Sequence, residues 1–571
     1  MDEIKEKIAK KILESIGQEI EVKEISDKIE TPKDTKNGDF AYPCFNLAKL
    51  LKKSPIVIAN EIKEKIAIEN DIEKIEVVNG YLNFYLNFDE INSKILKNII
   101  NKKEKFGTSL EGNGENVVID YSSPNIAKPF HLGHLRNTLI GKNIYNLYSN
   151  LGYNIVGINH IGDWGRQFGL LIEGYNRFKD NYDIKADPIK ALADIYVEIT
   201  KLAKEDEKVM DLARQNFKEL EDGNEEYYKL WEYFREVSIE EYKKTYDILD
   251  CKFDSYNGEA FYNDKMDEVV KILDEKGVLK TSEGAKVVFT GENEPPCIIL
   301  KSNGSTIYAT RDLAAVLYRA RTYNFKKAIY VTAYEQNFHF KQIFEVAKHL
   351  VDSKYAQGLV HIPYGLVRLK SGKMSTRDGN VIYTQDLIND SIKKASDIIE
   401  NRNIDVENKE KLAKQIGVGA LIFNIIKSSK IKDVIFDLDE VLRFDGETGP
   451  YIQYTYVRTK SILKKANIDV ENFDFENLEY NLLNNSQEIE LIKKIDEFPN
   501  IVKKAANEYE PAILAHYIIE LASLFSKFYN DCPVITDDEK LKNTRCGLVY
   551  ATSIVLKKGL DIIGIECPEK M

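Results

Sequence analysis

The sequence predicts an α/β protein in three parts: an N-terminal α/β module, a central α/β domain with a helical insertion, and a C-terminal all-α bundle. A continuous apolar run at 117–119, then a polar turn and a long helix, is how a parallel sheet opens. Strand and helix patterns alternate again at 328–350, and helical periodicity dominates after about residue 446. These three observations set the fold class.

The length of 571 residues fits three or four domains at about 100–200 residues each. Hydrophobic residues make up 43% and charged residues 30% of the chain, which is ordinary for a globular protein. We place the domain boundaries at 1–110, 111–445 and 446–571, with the insertion at about 175–295.

The N-terminal module mixes both kinds of element. Isoleucines spaced four apart predict an amphipathic first helix: Ile4, Ile8, Ile12 and Ile16. A second helix is predicted at 56–66, directly after Pro55, and strands at 77–86 around Gly80. A charged, glycine-rich link at 111–115 then leads into the central domain.

In the central domain, the strand at 117–119 is followed by a predicted helix at 132–151. Residues 175–255 are charged and helical and predict an insertion. Residues 297–310 predict a hairpin that turns at Asn303–Gly304, followed by a helix from Asp312. A strand at 328–332 and a helix at 340–350 resume the alternation.

The C-terminal region shows its clearest helix after Pro511, a residue tolerated in a first helical turn. Its apolar stripe consists of Ile513, Leu514, Tyr517, Ile518, Leu521, Leu524, Phe525 and Phe528. Such a stripe is most simply the face that packs into a core.

Charge and cysteine usage narrow the class of protein. The net charge of −12 argues mildly against a nucleic-acid partner, although it says little about local basic patches. No two cysteines form a CxxC pair, so we expect reduced thiols and no zinc site. With no signal-peptide pattern and no apolar run near 20 residues, we expect a cytoplasmic protein without a membrane partner.

The strongest chemical signal is the HLGH string at 131–134. His131 and His134 share a helix face, and a helix start favours anions, so two imidazoles there can donate to phosphate oxygens. Gly133 lets a flat base lie against the backbone. A histidine pair on a helix is more often structural, but the preceding strand and turn favour an ATP site here.

A second signal is the glycine-flanked polar loop at 371–379, in which Lys373 and Arg377 are placed to reach a triphosphate. Such a loop is weak evidence alone, because most are solvent-facing turns. Together with the HLGH string it becomes specific.

These strings resemble a known family. HLGH is similar to the HIGH motif, and KMSTR at 373–377 to the KMSKS loop, of class I aminoacyl-tRNA synthetases. Longer strings resemble the arginyl-tRNA synthetases in particular: SSPNIAKPFHLGHLRNTLIG at 122–141, HIGDWGRQFG at 160–169, YATRD at 308–312, GDFA at 38–41 and GIECPEKM at 564–571. The resemblance spans essentially the whole chain and implies a Rossmann-like catalytic domain.

The resemblance implies ATP-dependent activation of L-arginine to arginyl-adenylate, then transfer to tRNA(Arg), releasing AMP and pyrophosphate. Mg²⁺ accompanies ATP, and the family pattern is a monomer without an obligatory protein partner. The implied catalytic residues are Lys128, His131, His134 and Lys373, and the ATP contacts are His131, Gly133, His134, Lys373, Met374 and Ser375. Thr376 stands where KMSKS has its second lysine, and Lys128, just before HLGH, is expected to compensate.

An arginine pocket needs acids, because a planar guanidinium pairs with carboxylates through parallel hydrogen bonds. The resemblance places Asp120 and Asp312 against the guanidinium with Tyr308 alongside, and Asn125 at the α-amino end. Ser122 and Gln336 also fall at pocket positions. Family members often have Glu in place of Asp120, and Asp312 has a structural alternative as the N-cap of its helix.

The C-terminal helices resemble the family's anticodon-binding domain, with Tyr454 and Arg458 as candidate tRNA contacts. A single ring there is more often core. The N-terminal module resembles the family's domain that touches the tRNA elbow.

Two alternatives stay open: another class I synthetase, such as one for cysteine or glutamate, and a non-catalytic tRNA-binding paralogue. The absence of zinc-spaced cysteines disfavours the first substrate, and the paired acids disfavour the second. The intact HLGH string and Lys373 disfavour the paralogue.

Overall fold

The computed structural model describes residues 2–17, 20–32, 34–69, 71–369, 383–402, 404 and 406–571. The chain divides into two compact units. The first comprises residues 1–107, 455–501 and 518–558, and the second 108–454, 502–517 and 559–571. No helix in these described ranges is long and apolar enough to cross a membrane.

The N-terminal segment of the first unit contains five helices and three strands. The helices are α1 (Asp2–Ile16), α2 (Val22–Ser26), α3 (Ala48–Leu51), α4 (Pro55–Lys65) and α5 (Phe88–Lys102), and the strands β1 (Phe40–Pro43), β2 (Ile72–Val78) and β3 (Tyr81–Leu86). The strands form an antiparallel sheet in the order β1-β3-β2. The predicted first helix, the helix after Pro55 and the strands around Gly80 are confirmed.

The second unit is built on a parallel sheet in the order β10-β9-β4-β5. Its strands are β4 (Asn116–Asp120), β5 (Asn154–Ile158), β9 (Lys327–Ala333) and β10 (Leu359–Tyr364). The apolar run of β4 is at most 1% exposed, and strands pair with β4 on both sides. The predicted buried strand is therefore confirmed, with the parallel register that its composition indicates.

Twelve α-helices lie entirely within the described part of the second unit. They are α6 (Leu132–Asn150), α7 (Gln167–Phe178), α8 (Pro188–Glu205), α9 (Glu207–Glu221), α10 (Glu225–Ile248), α11 (Met266–Glu275), α12 (Tyr308–Tyr323), α13 (Asn337–Ala347), α14 (Ser353–Ala356), α15 (Thr384–Asn401), α16 (Lys409–Ile426) and α17 (Leu438–Val441). Helices α7 to α10 supply the predicted charged helical segment. The predicted helices at 132–151 and 340–350 are confirmed within a few residues.

Two small sheets complete the second unit. An antiparallel sheet contains β6 (Lys280–Ser282), β7 (Ala285–Val288) and β8 (Cys297–Leu300), and a parallel pair contains β11 (Val367–Leu369) and β12 (Val434–Phe436). The end of the predicted insertion is therefore partly strand rather than helix.

The predicted hairpin at 297–310 forms only in part. The Gly304 N–H donates to the Lys301 carbonyl at 2.9 Å, the Lys301 N–H donates to the Ser305 carbonyl at 2.9 Å, and Leu300 forms an antiparallel bridge with Thr306. Strand β8 pairs with the preceding strand β7, and the residues expected to extend the second strand enter α12 at Tyr308. The second strand of the hairpin is therefore cut short by the start of the helix.

The C-terminal region is helical, as predicted, and contains α18 (Gly449–Lys465), α19 (Ser486–Asp496), α20 (Phe498–Asn507), α21 (Pro511–Asp531) and α22 (Glu539–Ile563). Pro511 is the first residue of α21, where its missing N–H has no helical partner to lose. In the first unit, Ile518, Leu521, Phe525 and Phe528 of α21 are fully buried. The stripe is a core face.

Candidate active site

The sheet leaves a crevice at the carboxyl end of β4. From β4 the chain passes through α6 to β5 on one side, whereas β9 pairs with β4 on the other side. Ligands of open α/β sheets bind outside the strand ends where the connections diverge in this way. Strand β4 ends at Asp120, and α6 begins at Leu132, so the intervening turn borders the crevice.

The turn between β4 and α6 has a strained backbone. Ser122, Ser123 and Ala127 adopt positive φ angles of 72°, 47° and 55°. Each such non-glycine residue costs about 1–3 kcal/mol and persists only where its surroundings hold it. Here the Asn137 side chain of α6 accepts from the Ser122 N–H at 2.7 Å, and Asn159 accepts from the Ser123 N–H at 3.2 Å.

The two imidazoles stack at the start of α6, with ring centroids 3.7 Å apart and 16° between the planes. Nδ1 of His131 accepts from the Gly133 N–H at 3.1 Å, and Nδ1 of His134 accepts from the His131 N–H at 3.4 Å. An imidazole that accepts at Nδ1 carries its proton at Nε2 when neutral. Both rings are therefore set to donate from Nε2.

Both imidazoles are neutral near pH 7. Burial lowers the pKa of His131 to about 4, and burial, followed by the neighbouring His131 ring and the Lys128 ammonium, holds the pKa of His134 well below its usual value. The rings therefore act on a phosphate as neutral donors rather than as cations. A side chain at Gly133 would lie 3.0 Å from the His131 ring, which adds a second reason for glycine there.

Lys128 lies close enough to both imidazoles for its charge to lower their pKa values. Its ammonium nitrogen is 5.4 Å from the centroid of the Tyr196 ring on α8. This places a cation at the same end of α6 as the two Nε2 donors.

Four carboxyl side chains gather near the end of β4, and three of them pair with arginines of the protein. Asp120 lies 2.8 Å from Arg319, Asp163 lies 3.1 Å from Arg235, and Glu259 lies 3.6 Å from Arg311. Burial raises the pKa of Glu259 to about 8, with further repulsion from Asp312 and Asp163, against the opposing effect of the Arg311 charge.

Asp312 differs from the other three carboxyls. Its Oδ2 is 2.6 Å from Nε2 of His339 on α13, and its side chain is 29% exposed. Helix α12 begins at Tyr308, so Asp312 lies in the second turn, and the N-cap interpretation is wrong. A carboxylate bound only to an imidazole and open to solvent is the one best placed to accept an external cation.

The other residues predicted to bind arginine separate into two groups. Asn125, Tyr308 and Gln336 are exposed, so their side chains are accessible to a ligand. Ser122 is 1% exposed, and its hydroxyl bonds to Tyr246 and Thr138 at 2.8 Å. Any contact of Ser122 with a ligand therefore falls to its main chain.

The predicted loop residues Lys373, Met374 and Ser375, together with Thr376 and Arg377, lie outside the described residues. Among the described residues, no cluster of histidine, cysteine or acidic side chains could hold a metal ion. Five of the six cysteines are buried: Cys44, Cys251, Cys297, Cys532 and Cys546.

The two candidate tRNA contacts lie on α18. Tyr454, in the second unit, is 42% exposed and therefore is not a core ring. Arg458, in the first unit, places its guanidinium 4.1 Å from the centroid of the Tyr529 ring.

Sequence reasoning missed Arg319, His339 and Glu259. Arg319 follows Asp312 by seven residues on α12, which is two helical turns. An arginine within the otherwise apolar face of that helix was a signal that it needs a buried carboxylate partner. His339 and Glu259 left no comparable local signal.

Comparison with known proteins adds independent findings. Family models match three segments: "Arginyl tRNA synthetase N terminal domain" at 2–86, "tRNA synthetases class I (R), catalytic domain" at 95–438, and "DALR anticodon binding domain" at 452–571.

Individual proteins match along the whole chain. An arginine–tRNA ligase of Clostridium kluyveri is 47% identical over 555 residues, covering 97% of both chains. One of Halothermothrix orenii is 44% identical over 572 residues, covering all of both. The arginyl-tRNA synthetase structure from Plasmodium falciparum superimposes with a TM-score of 0.80 at 28% identity, covering 100% of this chain and 99% of that one.

Proposed function

Because the chain belongs to the family of class I arginyl-tRNA synthetases, we propose that it recognises its amino acid through Asp312 and its nucleotide through the two imidazoles of α6. The protein is an arginine–tRNA ligase. It uses ATP and arginine, and its DALR domain binds tRNA despite a net charge of −12.

The single observation that carries the proposal is the pairing of the four carboxyls. Asp120, Asp163 and Glu259 already have an arginine each, whereas among the described residues Asp312 pairs with the His339 imidazole alone. The guanidinium of free arginine supplies for Asp312 the type of partner that the other three have. Asp120 then contributes through its remaining lone pairs rather than as an unpaired anion.

The phosphate side follows from the tautomers. The Nε2–H groups of His131 and His134 are two neutral donors for the nucleotide phosphates, and they lie next to the positive end of the α6 dipole. Neutral donors stabilise the developing negative charge on the phosphates through hydrogen bonds. This is electrostatic stabilisation in a fixed geometry.

Activation needs no general base, because the arginine carboxylate is already anionic. Its oxygen attacks the α-phosphorus of ATP, the bond to the bridging oxygen breaks, and pyrophosphate leaves as arginyl-adenylate forms. A terminal ribose hydroxyl of tRNA then takes the arginyl group, and AMP is released. The residues named here position the reactants and neutralise charge.

Lys128 and Lys373 supply the cations for the pyrophosphate, and Mg²⁺ enters with ATP as part of the substrate. Lys128 takes the place of the second lysine of the loop, where the sequence has Thr376. Its Coulombic effect on both imidazoles supports this role.

For the remainder of the substrates, we place Asn125 at the α-amino end of arginine, with Tyr308 and Gln336 at the pocket rim. Tyr454 and Arg458 are the proposed tRNA contacts. The domain boundaries at 1–110, 111–445 and 446–571 remain a prediction. A cytoplasmic monomer remains a prediction.

An ATP–pyrophosphate exchange assay with each amino acid, with and without tRNA, tests the proposal. We expect exchange with arginine only, with a tRNA-free control because the family often requires tRNA for this step. The Asp312→Asn variant should show no exchange at low arginine concentration and should regain exchange at high arginine concentration. Exchange with another amino acid, or an unchanged arginine requirement in that variant, would contradict it.

A further inference from the structure

Helix α10 of the insertion presents three polar side chains to the strained turn between β4 and α6. Ser238, Tyr242 and Tyr246 are spaced four apart and so share one helix face. All three are at most 1% exposed. Their hydroxyl groups therefore bond within the protein and not to solvent.

Each hydroxyl contacts the turn at a different point. Ser238 Oγ accepts from the Ala127 N–H at 2.8 Å and donates to the Phe234 carbonyl at 2.5 Å. The Tyr242 hydroxyl lies 2.7 Å from the Asn125 carbonyl and 2.6 Å from the Lys128 carbonyl, and it donates to this pair.

The Tyr246 hydroxyl accepts from the Asn159 side chain at 2.9 Å and lies 2.8 Å from Ser122 Oγ. Because its oxygen accepts from Asn159, its proton is available to Ser122. Asn159 in turn accepts from the Ser123 N–H. The face of α10 thus reaches both ends of the turn.

These contacts coincide with the strained residues. Ser122, Ser123 and Ala127 are the positions with positive φ in this turn, and each is bonded by α10 directly or through Asn159. The Tyr242 hydroxyl holds the main-chain carbonyls of Asn125 and Lys128, and this fixes the orientation of both residues. A turn of this conformation needs external partners, because local preference opposes it.

We infer that Tyr242 is a positioning residue for the activation step, with Ser238 and Tyr246 beside it. Through these three side chains the insertion holds the turn between β4 and α6 in its strained shape. The inference rests on the proposed roles of Asn125 and Lys128. The hydroxyl acts through the main chain of these two residues, so its removal displaces them without removing any group that touches substrate.

Tyr242→Phe isolates the hydroxyl. The ring stays, with its packing against Phe130 at a centroid distance of 5.7 Å, while two main-chain carbonyls lose their donor. A displacement of about 1 Å in a positioning group can lower turnover about 100-fold. We expect kcat of arginine-dependent exchange to fall about 10- to 100-fold, with the KM for ATP changed less than about threefold.

The matched control is Tyr233→Phe, on the same helix. Nine residues separate it from Tyr242, which is two and a half turns, so it lies on the opposite side. We expect it to keep wild-type kcat, and thermal midpoints of both variants to stay close to wild type. If Tyr242→Phe does not fold, Ser238→Ala tests the same face through Ala127.

A double variant separates positioning from a general structural effect. If the hydroxyl acts through Lys128, the factor by which Tyr242→Phe lowers kcat should be at least threefold smaller in a Lys128→Ala background than in the wild type. Equal factors in both backgrounds, or a kcat within threefold of wild type in the single variant, would overturn the inference. The wild-type enzyme is assayed alongside with every amino acid. If the proposed substrate is wrong, the wild type shows no exchange with arginine; if the inference about Tyr242 is wrong, the wild type is active and the variant has a similar kcat.

Discussion

Asp312→Asn is the sharpest test of the proposed arginine pocket, because it removes one charge and keeps the side-chain shape. The Asp312 carboxylate, 29% exposed, bonds to His339 at 2.6 Å and has lone pairs left for a guanidinium. Two charge-assisted hydrogen bonds contribute about 1.5–3 kcal/mol each, of which the amide oxygen keeps one in weaker form. The net loss is about 3 kcal/mol, which corresponds to an increase of about 150-fold in the KM for arginine.

The assay is arginine-dependent ATP–pyrophosphate exchange in the presence of tRNA, with arginine and ATP varied separately. We expect the KM for ATP to stay within about threefold, because the imidazoles and their helix are unchanged. Asp267→Asn, an exposed acid on α11, is the matched control and should leave both constants unchanged. A rise of less than threefold in the KM for arginine would refute the assignment of Asp312.

Three further predictions concern a cation, an ion pair and pH. Lys128→Ala should lower kcat far more than it changes the KM for arginine, and unchanged turnover would exclude compensation for Thr376. Arg319→Met should lower the free energy of unfolding by about 3–5 kcal/mol in urea titrations, because it leaves the Asp120 carboxylate buried and unpaired; adding Asp120→Asn should recover more than half, and no recovery would contradict the pairing. Burial lowers the pKa of His361 in the folded protein to about 4. As the pH falls below about 6.5, His361 therefore takes up a proton in the unfolded chain before it does so in the folded protein. Stability present above that pH should be lost toward pH 4, and His361→Gln should decline less steeply between pH 7.5 and 5; equal slopes would contradict this.

Local patterns predicted the frame of the catalytic unit. The apolar run of β4, the turn after it and the start of α6 follow from signals within a few residues, and all three are confirmed. The pair of histidines lies at that helix start because the motif itself sets the spacing. A buried strand with helices on either side leaves little room for another arrangement.

Element boundaries and one distant ion pair account for what the sequence missed. Strand β8 pairs with the preceding strand β7, and α12 begins at Tyr308, so Asp312 lies in the second turn of that helix and not at its N-cap. The carboxyl at Asp120 finds its arginine 199 positions later in the chain, at Arg319. A pairing over that separation leaves no periodicity to detect, so the sequence offered Asp120 as a candidate pocket residue without the arginine that pairs with it.

The most direct measurement is a crystal structure with arginine and a non-hydrolysable ATP analogue bound together. The guanidinium should lie within hydrogen-bond distance of the Asp312 carboxylate, and the phosphates within reach of Nε2 of His131 and His134. A guanidinium bound elsewhere while Asp312 keeps only His339, or a triphosphate distant from the start of α6, would contradict the assignment.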